Sequence, residues 1–184
     1  MQPTPQTYAP PIPWTGLDDV IEAVTARATN LGSDIHGPVH WHSVALASLY
    51  LLEAGEPADR PLVFLFALLH DAMRRDDGYD LGHGPRAAAL LGELCERRVL
   101  VMDVPRAACL DAALRDHTCG RTSDDPTIAL CWDADRLDLG RVGIAPDGAF
   151  FSTVPAQRLV ASGAPLRWAE ALPDWHALAA RFAL

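Results

Sequence analysis

At 184 residues, with 49% hydrophobic and 21% charged residues, the chain is large enough for one globular domain with a sizeable core. Its net charge of -9 argues against nucleic-acid backbones and anionic membranes as general partners. All fifteen basic residues are Arg, which excludes Schiff-base lysines and lysine-type phosphate loops.

Residues 1–15 carry Pro3, Pro5, Pro10, Pro11 and Pro13, a composition that forms neither a regular helix nor a central strand. They read as an extended N-terminal extension lying on the body through Tyr8, Ile12 and Trp14, ahead of a single domain spanning 16–184. No basic region followed by an apolar one marks a secretory leader, and no apolar run reaches membrane-spanning length. The four cysteines, Cys95, Cys109, Cys119 and Cys131, have no CxxC spacing and read as buried free thiols. A soluble cytoplasmic protein is the expectation.

Leu17, Val20, Ile21, Val24 and Ala28 recur at helical spacing and predict a first helix over 17–31. After a break at Gly32-Ser33-Asp34, Pro38 suits a first helical position, so a second helix is expected from Pro38 to about Glu53. A third begins after Asp59, a plausible N-cap ahead of Pro61, and runs to about Arg75. Its stretch Leu62–Leu69 has no polar residue, as expected of a helix in the middle of the core. Further helices are expected from Pro85 to about Leu100, from Pro105 to about His117, over Thr127–Leu139 behind Pro126, and from about Pro165 to Phe182. Residues 140–156 read as irregular, with a short strand at Gly148–Val154 the only β candidate. The predicted class is all-α, a bundle of about six or seven helices.

The all-apolar helix ends in His70-Asp71. A buried carboxylate demands an ion pair, a proton or a metal. His40 shares a stripe with Val44 and Ala47 and faces inward, whereas His42 points to the opposite side and is expected to be exposed. His36, just before that helix, either hangs over whatever His40 faces or is a capping or surface residue. His83, between Gly82 and Gly84, precedes a helix N-terminus, a place that attracts anions. His117 closes a helix, where a capping cation is the alternative reading. In Cys-Trp-Asp-Ala-Asp-Arg-Leu-Asp, Asp135 lies on the stripe of Ile128, Cys131 and Trp132, and Asp133 on the equally apolar stripe of Ala129, Leu130 and Leu137. Spacing alone does not separate the two. Inward N and O donors from three helices describe a site for a divalent first-row metal (Mn, Fe, Ni or Co, with Mg less favoured by imidazoles) rather than a thiolate zinc site.

The order His40, then His70-Asp71, then Asp135 resembles the HD-domain superfamily of metal-dependent phosphohydrolases. The contexts His40-x-x-x-Val44, the apolar run into His70-Asp71, and Ala134-Asp135-Arg136-Leu137 carry the resemblance over roughly residues 36–140. It implies a helical bundle in which His40, His70, Asp71 and Asp135 ligate a metal, and it favours Asp135 over Asp133. Asp71 is implied as the group that orients or activates water, with Arg74, His83 and His117 acting on substrate phosphate. His83 and His117 also occupy the places where two-metal members add histidines, so one ion or two are both admitted. The chain lacks the paired His-His and the Gly-Tyr-Pro signature of the subfamily that cleaves cyclic dinucleotides.

The implied activity is hydrolysis of a nucleotide or other small phosphate ester. The rivals are an HD-type diiron oxygenase, for which His83 and His117 supply enough ligands, and a non-catalytic metal-binding signalling module. The C-terminal aromatics Trp168 and Trp175 fit either a homodimer face or the core.

Overall fold

A computed structural model describes residues 12–163, 168 and 173–184. Eight α-helices occur among them: α1 (Leu17–Thr25), α2 (Pro38–Glu53), α3 (Arg60–Leu69), α4 (His83–Glu96), α5 (Val104–Asp116), α6 (Pro126–Leu137), α7 (Val154–Ala161) and α8 (Trp175–Phe182). No strand occurs among the described residues; one isolated antiparallel bridge pairs Trp14 with Leu100.

Four helix starts are fixed by a capping side chain, three acidic and one a threonine, with proline in the first turn. Asp59 accepts from the Leu62 N–H at the head of α3, Asp103 from Arg106 N–H at α5, and Asp125 from Thr127 and Ile128 N–H at α6. Thr153 does the same for Ala156 at α7, with Pro155 behind it. Each cap satisfies a donor that the helix itself leaves free, and each proline sits where its missing N–H is harmless.

Helix α3 is the axis of the bundle. Every residue from Pro61 to Leu69 is buried, and α1, α2, α5, α6 and α8 all pack on it. Its flanks are aromatic on one side, where Phe64 meets Trp14, Trp175 and Phe182 at centroid distances of 5.8, 5.5 and 5.5 Å. Helix α2 lies between α3 and α6, and α4 packs against α5. Trp132 on α6 donates its indole N–H to the Ala113 carbonyl on α5 at 2.9 Å, which sets the depth at which those helices meet. The Pro-rich segment docks by its last residues: Val101 N–H donates to Pro13 O at 2.6 Å, and Trp14 lies on the core.

Several expectations need correction. The count of six or seven helices falls short because α7 fills the stretch between the irregular residues expected up to 156 and the C-terminal helix expected from about Pro165. Residues 148–150 form a 3-10 turn, and Thr153 and Pro155 start a helix directly after it. Helix α1 ends six residues early, and α3 ends at Leu69 rather than near Arg75, so that residues 70–73 form a turn. His42 is half-buried, its ring 4.3 Å from that of Trp175 on α8, because α8 covers the side of α2 that spacing assigned to solvent. Only Cys131 is fully buried; Cys95 and Cys109 are partly so and Cys119 is exposed, all four as free thiols. Of the expected C-terminal helix, α8 is present, whereas 164–167 and 169–172 lie outside the described residues, as does Tyr8.

Candidate metal centre

The end of α3 points at the place where α2, α4, α5 and α6 converge. His70 is the residue after the last turn of α3, and its Nδ1 faces the Ala67 and Phe66 carbonyls at 3.2 and 3.3 Å. Asp71 follows in a turn that Thr29 pins from the α1–α2 connection, donating its N–H to Ala72 O at 2.9 Å and its hydroxyl to Arg74 O. His40 comes from the first turn of α2 and His83 from the start of α4. His117 caps the end of α5, and Asp135 lies on α6.

Four imidazoles share one design. A carbonyl or carboxylate oxygen can only accept, so an Nδ1 facing one must carry the hydrogen. That holds for His40 on Asp138 Oδ2 (2.8 Å), His70 on the two α3 carbonyls, His83 on Asp80 O (2.5 Å) and His117 on Leu114 O (2.7 Å). Every one therefore turns its Nε2 inward. The inner atoms meet in pairs: His40 and His70 Nε2 at 3.0 Å, and His83 and His117 Nε2 at 2.8 Å. Two ring nitrogens at that separation need a proton or a metal between them.

Asp71 stands between the two pairs. Its Oδ2 is 3.7 Å from His40 Nε2 and 3.9 Å from His70 Nε2, and its Oδ1 is 3.1 Å from His83 Nε2 and 3.7 Å from His117 Nε2. Ligand atoms of His40, His70 and Asp71 lie within 4.8 Å of one another, as do those of Asp71, His83 and His117, and all five residues are buried. Asp135 completes the first group through Oδ1, 3.2 Å from His40 Nε2 and 3.8 Å from His70 Nε2. This is an all-nitrogen-and-oxygen donor set suited to a divalent first-row metal, and its chemistry fits a pair of ions as well as a single one.

Electrostatics follow the same plan. Burial pushes the His70 imidazole down to about 3, against the opposing pull of the Asp71 and Asp135 carboxylates. Burial also disfavours charge on His40, but its bonds to Asp135 and Asp138 outweigh that and raise it. His117 is raised likewise, against its burial, by Asp71 and Asp135. Burial disfavours the charged carboxylates, yet the surrounding imidazoles hold Asp71 and Asp135 well below the ordinary carboxylate range.

Asp133, the other acidic candidate, is turned away. It is buried and accepts from Ser152 N–H (3.0 Å) and Thr153 N–H (2.7 Å), fixing the segment before α7 to α6. His36 lies over the centre, with Nδ1 2.9 Å from Asp71 Oδ2, and is held there by its own N–H on Ser33 Oγ. Arg74 is buried beside the pair, Nε 3.8 Å from Asp71 Oδ2 and Nη1 3.3 Å from His83 Nδ1. His83 is the first residue of α4 rather than the residue before it.

Sequence reasoning missed Asp138 and Arg141. Asp138 follows Asp135 by three residues, hence on the same side of the chain, and a carboxylate on the outer nitrogen of a ligating His fixes its tautomer and basicity. Arg141 braces it, with Nη1 3.6 Å from Asp138 Oδ2 and Nε donating to Ile35 O at 2.8 Å. The signal was the Asp-x-x-Asp-x-x-Arg spacing after Asp135. A cavity of about 500 Å³ opens beside His117 and Asp135.

No protein-family model and no curated protein matches the chain. A solved structure does: a predicted HD superfamily hydrolase from an uncultured Thermotogales bacterium, at 23% identity and a TM-score of 0.61, over 79% of this chain and 83% of that one. The all-helical architecture built around His70-Asp71 is therefore similar in fold to that predicted HD superfamily hydrolase.

Proposed function

We propose that the chain is a metal-dependent phosphohydrolase acting on a small phosphate ester, with a centre that takes two divalent ions. One observation carries the reading: four imidazoles, each fixed through Nδ1, direct their Nε2 atoms in two pairs at the two oxygens of Asp71. His40, His70, Asp71 and Asp135 would hold one ion, and Asp71, His83 and His117 the other. When bound, the ions supply Lewis acidity toward a phosphoryl oxygen and lower the pKa of water to near neutrality.

The chain's own groups do the rest. Asp71 would orient the attacking water between the two halves of the centre, and the His36 Nδ1–H keeps one Asp71 oxygen fixed. The Arg74 guanidinium offsets negative charge that develops on phosphate during transfer. Asp138 and the α3 and α5 carbonyls lock the imidazole tautomers, so no proton rearrangement stands between the apo and loaded forms except loss of those held on Nε2.

The donor set also suits two irons, which favours a second reading as a diiron oxygenase. Elemental analysis of the purified protein, with a screen of phosphate esters against manganese, iron, cobalt, nickel and magnesium, separates the two. Ester turnover under anaerobic conditions supports the phosphohydrolase; no hydrolysis with any metal, alongside two irons and a dioxygen-dependent signal, overturns it.

A further inference from the structure

The cavity beside the metal centre differs sharply from the centre itself. His117 and Asp135 of the centre line it, together with Tyr79, Leu139, Ile144, Phe150 and Phe151. Three of these apolar side chains are unusually open, with Tyr79 90%, Ile144 52% and Phe150 47% exposed. Large apolar side chains gathered round the mouth of a cavity mark a binding surface more often than isolated ones do. The volume of about 500 Å³ falls within the usual range for pockets that enclose a small organic molecule.

Charge on the lining is sparse. Away from the metal centre, Arg136 is the cation among the lining residues, and it is more than nine-tenths buried. Its Nη1 donates to the Phe150 carbonyl at 2.6 Å, its guanidinium lies 5.7 Å from the Trp132 ring centroid, and its Nη2 has no hydrogen-bond partner. Asp147 adds a negative charge to the same wall. A polyphosphate chain needs several convergent cations, and this lining offers a single guanidinium, most of it engaged. An apolar group meets no such deficit, and one acceptor atom on the ligand would satisfy the spare Arg136 donor.

From this we infer that the substrate is a phosphate monoester whose alcohol or phenol part is apolar and of aromatic size, seated between Tyr79, Ile144 and Phe150 while its phosphate reaches the metal centre. The inference rests on the phosphohydrolase reading for the phosphate end and on the cavity alone for the other end. It places selectivity in the 3-10 turn at Gly148–Phe150 and the loop carrying Tyr79, both outside the ligand set.

The test compares kcat/KM of the manganese-loaded protein for 1-naphthyl phosphate, glycerol 1-phosphate and ATP. It repeats the comparison in Phe150→Ala, Ile144→Ala and Tyr79→Ala. All three side chains are at least 47% exposed, so truncating them leaves the core intact. The expected result is a preference for 1-naphthyl phosphate of at least about tenfold, falling severalfold in the variants, as the loss of apolar contacts in a pocket predicts. Preference for glycerol 1-phosphate or ATP, or a preference that the variants do not move, overturns the inference while leaving the phosphohydrolase reading in place. A calorimetric comparison of 1-naphthylmethylphosphonate with methylphosphonate needs no turnover. If no ester is hydrolysed, tighter naphthyl binding that Phe150→Ala weakens upholds the cavity assignment without the reaction, and equal binding of the two phosphonates overturns it.

Discussion

Gly84 lies against the backbone oxygen of Leu114: a Cβ added at position 84 would stand 2.7 Å from it and 2.8 Å from the Arg115 oxygen. The same Leu114 oxygen accepts the Nδ1–H of His117 at 2.7 Å. The close crossing of α4 on α5 is thus what brings His83 within reach of His117, and glycine is the residue that permits it. Gly84→Ala should destabilise the fold by about 1–3 kcal/mol, the usual range for overpacking against atoms that cannot move aside. The variant should also lose metal stoichiometry at the His83–His117 pair before it loses it at His40–His70. Denaturant unfolding and elemental analysis on one preparation check both parts.

Asp133 and Asp135 separate cleanly by substitution. Asp135→Asn should abolish binding of one ion with a modest effect on stability of the apo protein. Asp133→Asn should keep metal content but lower stability by about 2 kcal/mol, because the charge-assisted acceptor for two backbone N–H groups is weakened. Metal loss in Asp133→Asn with none in Asp135→Asn would reverse the assignment of Asp135 to the centre.

Asp138 touches no inner nitrogen, yet it sets the tautomer of His40. Asp138→Ala should weaken metal affinity by about 10–100-fold, the usual effect of removing such a support, with the fold retained. Competition against a chelating dye measures it; an unchanged affinity would mean that the Pro38–Glu53 helix alone orients the ring.

Metal binding should release protons and strengthen as pH rises. His40 and His117 are raised above the ordinary value of 6.5, so in the metal-free protein they stay protonated at and somewhat above that pH. A metal must displace those protons, hence affinity falls as pH falls. Stability of the metal-free form runs the opposite way for these two groups: a raised folded-state pKa contributes fully below about 6.5 and is lost as pH climbs through the folded value. Isothermal calorimetry in buffers of different ionisation enthalpy counts the protons released, and zero protons near neutral pH would contradict the arrangement.

Much of this architecture can be read from residue order because its determinants are local. Pro38, Pro105 and Pro126 place the starts of α2, α5 and α6 within a residue, since an acidic or glycine cap followed by proline needs no tertiary help. The sequence His40, His70-Asp71, Asp135 likewise names residues that the fold brings together. Thr153 and Pro155 carry the same cap signature for α7, but eight residues flanked by glycines offer too little periodicity to read. The side of His42 was misjudged because α8, more than a hundred residues away in sequence, covers it. Asp133 and Asp135 lie on equally apolar stripes, so spacing does not distinguish them; the Ser152 and Thr153 amides that turn Asp133 away come from a segment with no periodic pattern.

One carboxylate between two pairs of imidazoles has a thermodynamic corollary. Because Asp71 serves both halves, the free energy of filling one half depends on whether the other is filled, and by linkage the dependence is reciprocal. A titration with a divalent ion should therefore not fit two independent sites. Replacing Asp71 should erase the interaction between the halves along with the affinity, whereas Asp135→Asn should leave the His83–His117 half reporting its own intrinsic constant.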